Sequence, residues 1–219
     1  MSEYHKIQTV YKRDPATRYK TLLIGQYATP EFQYLAHNQW IFTEKVDGTN
    51  TRVYVQEGQT RFGGKTDNAQ MPARLLSALD ELFAPKRDEL LATFKDAEVC
   101  LYGEAYGAKI QKGGGRYRQD PGFVLFDIRV GQWWLRREDV EDLAARLGID
   151  IVPVVGHGTL DEMAGRVKAG FGSRWGDFPA EGIVARPAVE LKTRAGERVI
   201  AKLKARDFPD PGSGATGRE

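Results

Sequence analysis

An α+β fold with largely antiparallel sheet is predicted by three features of the chain. Strand-like runs are joined by short turn signals at Asp47-Gly48, Glu57-Gly58 and Gly131-Gln132, which build hairpins rather than crossovers. Blocks with helical spacing fall among these runs, but without the regular alternation that makes a parallel sheet. The length of 219 residues, with 41% hydrophobic and 28% charged, suits one globular domain able to bury a substantial core.

Residues 39–45, 50–56 and 59–62 read as a three-stranded meander, each run holding β-branched or aromatic residues and bounded by a turn. Over 71–94 the spacing of Leu75, Leu76, Leu79, Leu82 and Phe83 gives one apolar helical face, and Pro85 divides the segment into two helices. Sheet resumes at 98–106 and 122–129, separated by a loop carrying Gly113-Gly114-Gly115, and Gly131-Gln132 leads into Trp133-Trp134-Leu135. Residues 137–147 form a helix closed by Gly148, and 149–155 a further strand. Thr159 with Glu162 makes a capping-box pattern opening a helix to about Ala169. Strands over 181–186 and 197–204 complete a domain expected to span 1–208. The Pro-, Gly- and Ser-rich remainder, 209–219, is expected to be disordered.

No run approaches ~18 apolar residues, which excludes a transmembrane helix. The start, Met1-Ser2-Glu3-Tyr4-His5-Lys6, lacks the apolar stretch of a secretory signal. The expected location is therefore the cytoplasm, of the encoding cell or of the host if the chain is phage-encoded, with no membrane partner. Cys100 alone cannot form an internal disulfide, and no Cys/His spacing suits zinc. Within Val99-Cys100-Leu101 it reads as a small buried hydrophobe. A net charge of +2 does not by itself argue for nucleic acid, yet 105–119 carry Lys109, Lys112, Arg116 and Arg118 with no acid. Such a loop either contacts phosphates or is simply solvated.

The segment Lys45-Val46-Asp47-Gly48-Thr49-Asn50 places one amine at the end of the apolar run Trp40-Ile41-Phe42, directly before an Asp-Gly turn. A nucleophilic lysine can be held rigidly there. The other reading is a solvated lysine beside a hairpin turn in which Asp-Gly supplies positive φ. Ordered companions follow: Arg61-Phe62-Gly63-Gly64-Lys65-Thr66, Leu101-Tyr102-Gly103-Glu104, Phe126-Asp127-Ile128, Glu181-Gly182-Ile183-Val184 and Ala201-Lys202-Leu203-Lys204. The series, over about 25–206, resembles the nucleotidyltransferase motifs of the covalent lysyl-nucleotidylate superfamily of RNA ligases, DNA ligases and capping enzymes. The extended Lys-x-Asp-Gly-Thr-Asn form looks most like the RNA ligases, in the branch typified by the second RNA ligase of bacteriophage T4.

The resemblance implies an adenylyltransferase domain, ATP-grasp-like, with antiparallel sheets packed together, flanking helices and the nucleotide lying among them. It implies ATP as co-substrate, with Mg²⁺ as the metal and Mn²⁺ as a substitute. Lys45 attacks the α-phosphate, AMP passes to an RNA 5′-phosphate, and a 3′-hydroxyl displaces it. For attack the amine must be neutral, a state favoured by partial burial and neighbouring cations. Strand alternation puts Lys202 and Lys204 on one face and Val199, Ala201 and Leu203 on the other. Paired lysines suit a triphosphate, or else a solvated edge strand.

By the same resemblance Glu181 serves the metal and Glu104 the ribose, a sheet-edge salt bridge being the alternative for either. Gly103 and Gly182 beside them would let a ligand approach the backbone. Phe126 matches the aromatic that stacks on the purine, or is core. Asp127 faces the opposite way in a regular strand, so both line one pocket only with a twist or strand end. Glu44 is a candidate acceptor for the purine's exocyclic amine. The phosphate-holding cation is Arg61 or Lys65, with Lys65 assigned to the nucleotide and Arg61 to RNA. Asn50 contacts the reacting ends, or bonds its own backbone. Lys109, Lys112 and Arg116 are RNA-binding candidates on a mobile loop where Tyr117 offers a stacking ring. His5, His37 and His157 are isolated and take no catalytic role, and Trp133 and Trp134 are expected to cover the core.

Many members of this superfamily carry a further C-terminal domain, whereas fifteen residues follow Lys204 here. The partners expected are RNA ends, a nicked duplex among them, and a protein or domain supplying the remaining RNA-binding part. A GTP-dependent capping guanylyltransferase and a non-catalytic nucleotide- or RNA-binding module of the same fold remain as alternatives. Intact Lys45, Glu181 and Lys202 argue against the latter.

Overall fold

The computed structural model describes residues 3–208, so the expected disordered tail at 209–219 lies outside the described residues. The chain forms two compact units. A central unit takes residues 46–152 with Tyr4, and a terminal unit takes 5–45 and the residues from 153 onward. In chain order the strands are β1 (Gln8–Thr9), β2 (Tyr11–Arg13), β3 (Leu22–Tyr27), β4 (Trp40–Glu44), β5 (Thr49–Gln56), β6 (Gln59–Gly63), β7 (Val99–Tyr106), β8 (Gly122–Val130), β9 (Trp133–Trp134), β10 (Val154–Gly158), β11 (Gly182–Pro187) and β12 (Ala201–Lys204). The helices are α1 (Pro30–Tyr34), α2 (Ala73–Phe83), α3 (Arg87–Phe94), α4 (Arg137–Leu147) and α5 (Leu160–Ala169). No helix among the described residues is long and apolar enough to cross a membrane.

The terminal unit is built on a sheet of order β1-β12-β11-β4-β10, with β2 and β3 forming a separate hairpin. All pairings in it are antiparallel except β1 with β12. Trp40 and Phe42 of β4, Ile183 and Ala185 of β11 and Leu203 of β12 share a core with Leu160, Met163 and Val167 of α5. The predicted capping box opens α5: Glu162 N donates to Thr159 Oγ1 at 3.2 Å and Thr159 N to Glu162 Oε2 at 2.7 Å. These hydrogen bonds hold the Glu162 carboxyl below its ordinary range. The hydroxyls of Tyr11 and Tyr27 both donate to Asp161 Oδ1 at 2.9 Å, tying the hairpin to the first turn of α5.

The central unit is an antiparallel sheet of order β6-β5-β7-β8-β9. Val53, Val55, Leu101, Leu125 and Ile128 form its apolar face, which packs on Leu75, Leu79 and Phe83 of α2, Leu90 of α3 and Val140 and Leu143 of α4. Pro85 divides the first helical segment as expected, leaving a 3₁₀ turn at Ala84–Lys86. Gly148 closes α4 at φ 60°, a left-handed conformation that costs glycine little.

Several expectations are corrected. Residues 39–62 are not one meander, because β4 pairs with β10 and β11 whereas β5 pairs with β6 and β7. Asp47-Gly48 thus links two sheets instead of closing a hairpin. Gly48 is required there for proximity: a Cβ would lie 2.2 Å from Ala105 O. A left-handed turn does occur at Glu57 and Gly58, with φ 51° and 72°. The strand expected over 149–155 begins only at Val154, preceded by a single bridge at Ile151, since Pro153 has no N–H for the ladder. The last strand is confined to Ala201–Lys204. Trp134 packs on Tyr4 and Tyr102 within the unit, but Trp133 is 77% exposed and covers no core. The first 38 residues, given no elements from their pattern, supply β1, β2, β3 and α1.

Candidate active site

In the terminal unit, alternation along β4 turns Trp40, Phe42 and Glu44 inward and leaves Lys45, just past the strand end, on the other side. Lys45 N donates to Gly182 O at 2.9 Å, so the backbone of the candidate nucleophile is still held by the ladder. Its Nζ donates to Glu181 Oε2 at 2.7 Å, and the other oxygen, Oε1, pairs with Lys204 Nζ at 2.7 Å. All three side chains are partly buried. The predicted facing of β12 is observed: Ala201 and Leu203 are buried, and Lys202 and Lys204 share the open face. Lys204 is fixed from below by Asp207, which accepts from Lys204 N at 3.0 Å and from Arg13 Nη2 at 2.7 Å. Lys45, Lys202 and Lys204 thus gather around the Glu181 carboxylate, a concentration of cations suited to a polyphosphate.

Glu44 does not lie on that face. It is 1% exposed, and its oxygens accept from Ser173 Oγ at 2.6 Å and Arg174 N at 2.8 Å. The carboxylate read as a purine contact here anchors the 173–174 loop inside the unit. The glycines beside the acids are also required by the protein's own packing. A Cβ on Gly182 would lie 2.1 Å from Leu203 O, and one on Gly103 2.2 Å from the Phe123 ring.

In the central unit, Asn50 of β5 stands opposite Glu104 of β7, both at the same end of the sheet. The register between β7 and β8 shifts at Tyr102↔Asp127 and Gly103↔Leu125, leaving Phe126 as the extra residue of a bulge. Leu125 is tied instead to the 150–152 segment, its N donating to Asp150 O at 2.8 Å and its O accepting from Val152 N at 2.9 Å. The bulge lets Phe126 and Asp127 fall on one face. Tyr4 meets both, its ring 5.1 Å from that of Phe126 and its hydroxyl donating to the buried Asp127 Oδ2 at 2.5 Å.

Register also separates the two cation candidates. Arg61 pairs opposite Tyr54, about 13 Å along β5 from Asn50 at ~3.3 Å per residue, and bonds Gln59 Oε1 of its own strand at 3.0 Å. Lys65 is exposed and follows Gly63, which pairs with Arg52, so it falls toward the Asn50 end. A third cation went unnoticed in the sequence. Arg52 is 1% exposed, shares the face of Asn50, donates from Nε to Gly64 O at 2.7 Å and pairs with Asp67 at 2.8 Å. The signal available was its position two residues beyond Asn50.

The glycine-rich loop, expected to be mobile, is folded on itself. Ala108 N donates to Arg118 O at 2.9 Å, and Gly114 lies so close to Gly107 that a Cβ would be 1.8 Å from its carbonyl oxygen. Lys109, Lys112 and Arg116 are on its exposed surface. Tyr117 is not a free stacking ring: it packs on Tyr106 at 5.8 Å and accepts from Asp47 N at 3.2 Å.

Among the described residues no three His, Cys, Asp or Glu side chains cluster as a metal cage. Glu181 alone fits an ion carried largely by water and phosphate oxygens, which is how Mg²⁺ usually binds.

The RNA ligase family profile matches residues 38–204. The fold is similar to that of several structures of Naegleria gruberi RNA ligase. One is a point mutant with ATP and Mn, at TM-score 0.67 and 16% identity over 94% of this chain and 56% of that one. Another mutant with ATP and Mn gives TM-score 0.64 and 18% identity over 93% and 58%. The ligase with PPi gives 0.63 and 18% over 94% and 58%. This chain thus spans between 56% and 58% of the length of these structures, and the likeness is one of nucleotidyltransferase fold. No curated protein matches it in sequence. The matched span begins before Lys45, ends at Lys204 and takes in the paired Glu181 between, and on that match the chain belongs to the RNA ligase family.

Proposed function

We propose that the chain is the nucleotidyltransferase domain, over residues 1–208, of an ATP-dependent RNA ligase of the branch typified by the second RNA ligase of T4. The observation that carries this reading is the Lys45–Glu181–Lys204 cluster, in which one carboxylate holds two lysines at 2.7 Å. Lys45 Nζ gives up its proton and its partner, forms a bond to the α-phosphorus of ATP, and the bond to pyrophosphate breaks. Lys202 and Lys204 offset the charge that gathers on the leaving pyrophosphate. AMP then passes from Lys45 to an RNA 5′-phosphate, and a 3′-hydroxyl displaces it to form the phosphodiester.

Glu181 would hold the divalent ion, Mg²⁺ or Mn²⁺, which when bound neutralises phosphate oxygens during transfer. Glu104 is assigned to the ribose, Phe126 to the purine and Lys65 to the nucleotide phosphates. Asn50 is assigned to the RNA ends, with Arg61, Lys109, Lys112 and Arg116 to the RNA backbone, in a nicked duplex or with a further domain or partner protein. The structures named with ATP and Mn support the choice of nucleotide and metal.

The test is incubation with Mg²⁺ and α-labelled ATP or GTP, followed by a denaturing gel. The expected result is label from ATP that is absent in Lys45→Ala. Label from GTP alone would favour a capping guanylyltransferase, and none from either a binding module.

A further inference from the structure

The chain leaves the terminal unit at Lys45 and enters the central unit at Val46. The two residues that follow are held by the folded loop. Asp47 N donates to Tyr117 Oη at 3.2 Å, and Gly48 O accepts from Gln111 Nε2 at 3.2 Å. The grip is braced from behind. Tyr117 N donates to Gly114 O at 3.0 Å, Gly114 N to Gln111 O at 2.9 Å, and the Tyr117 ring meets Tyr106 edge to face at 5.8 Å. On the other side the Gly48 backbone runs close to β7, where an added Cβ would lie 2.2 Å from Ala105 O.

We propose that Tyr117 is a positioning residue for the nucleophile, acting through the Asp47 amide, with Gln111 as its companion on the Gly48 carbonyl. This rests on the lysyl-adenylate reading above. Lys45 is held on its N-terminal side by the ladder bond to Gly182. On its C-terminal side only Val46 separates it from the pinned Asp47–Gly48 backbone. A displacement of ~1 Å at a reacting atom can cost up to about a hundredfold in rate. Losing one neutral hydrogen bond that sets the position is expected to cost about five- to tenfold.

The experiment is single-turnover self-adenylylation with labelled ATP and Mg²⁺, rate against ATP concentration, alongside thermal melts. It compares wild type, Lys45→Ala, Tyr117→Phe and Gln111→Ala. The expected result is that Tyr117→Phe lowers the rate at saturating ATP about five- to tenfold, with half-saturating ATP and melting temperature unchanged. An unchanged rate overturns the proposal. So does a loss matched by a lower melting temperature or weaker ATP saturation, which would make Tyr117 a folding or binding residue. If Tyr117→Phe does not fold, Gln111→Ala reads the same geometry through Gly48, with a several-fold slowing expected and wild-type rate overturning. Wild type without label, or label persisting in Lys45→Ala, would instead defeat the lysyl-adenylate reading and take this proposal with it.

Discussion

Lys45 Nζ sits 2.7 Å from Glu181 Oε2, so the candidate nucleophile and the carboxylate proposed to hold the metal start as a pair. The same carboxylate keeps Lys204 at 2.7 Å, and without it two ammonium groups would face each other.

Glu181→Gln keeps the shape and removes the charge. It is expected to lower self-adenylylation by at least ~100-fold, the scale of losing one preorganised group at a charged transition state. Stability should change by no more than about 1–2 kcal/mol, because the ions are only partly buried. Labelling at the wild-type rate would remove Glu181 from the site.

Two buried tyrosines should respond in opposite ways to loss of a hydroxyl. Tyr4 donates to the buried Asp127, so Tyr4→Phe is expected to cost about 1.5–3 kcal/mol. The Tyr54 hydroxyl is buried with no hydrogen-bond partner, so Tyr54→Phe should be neutral or stabilising. Urea unfolding of both variants checks the sign of the difference.

Stability should fall on the alkaline side from about pH 9 upward. Burial raises the Cys100 thiol from 9.0 to about 12, and burial with the bond to Asp161 raises Tyr27 from 10.0 to about 12. The unfolded chain loses these protons first, so the stabilisation is complete below the unfolded values and is lost as pH rises toward the folded ones. Cys100→Ala should flatten the start of this fall in urea midpoints between pH 8 and 11. An identical slope in that variant would rule out the thiol as a contributor.

Two glycine-to-alanine changes should also diverge. In Gly48→Ala the methyl would lie 2.2 Å from Ala105 O, forcing β5 and β7 apart at a cost of about 1–3 kcal/mol. Gly165, inside α5, has nothing within 4 Å of the added methyl, so Gly165→Ala should stabilise by about 0.5–1 kcal/mol. Thermal melts of the two variants moving in the same direction would contradict the packing described.

What was legible in the sequence was local. Pro85 between two helical stretches, the Thr159 and Glu162 cap, Gly148 at a helix end and the shared face of Lys202 and Lys204 each depend on residues within a turn or two. The apolar run Trp40-Ile41-Phe42 marked a strand, but not that its partners are β10 and β11, because pairing is set by contacts far along the chain. Tyr4 and Arg52 were missed for the same reason: their partners Asp127 and Asp67 stand 123 and 15 residues away. The tie of Glu44 to Ser173 and Arg174 was hidden for the same reason, its partners standing 129 and 130 residues away.

The extra residue in β8 makes that strand two half-strands out of step, with inward side chains at Phe123, Leu125 and Ile128 and hence a spacing of two followed by three. Loss of position 126 would therefore restore plain alternation, with Leu125 and Ile128 still inward and Asp127 still outward. What would vanish is the second outward side chain, so the bulge exists to set a ring next to the carboxylate under Tyr4.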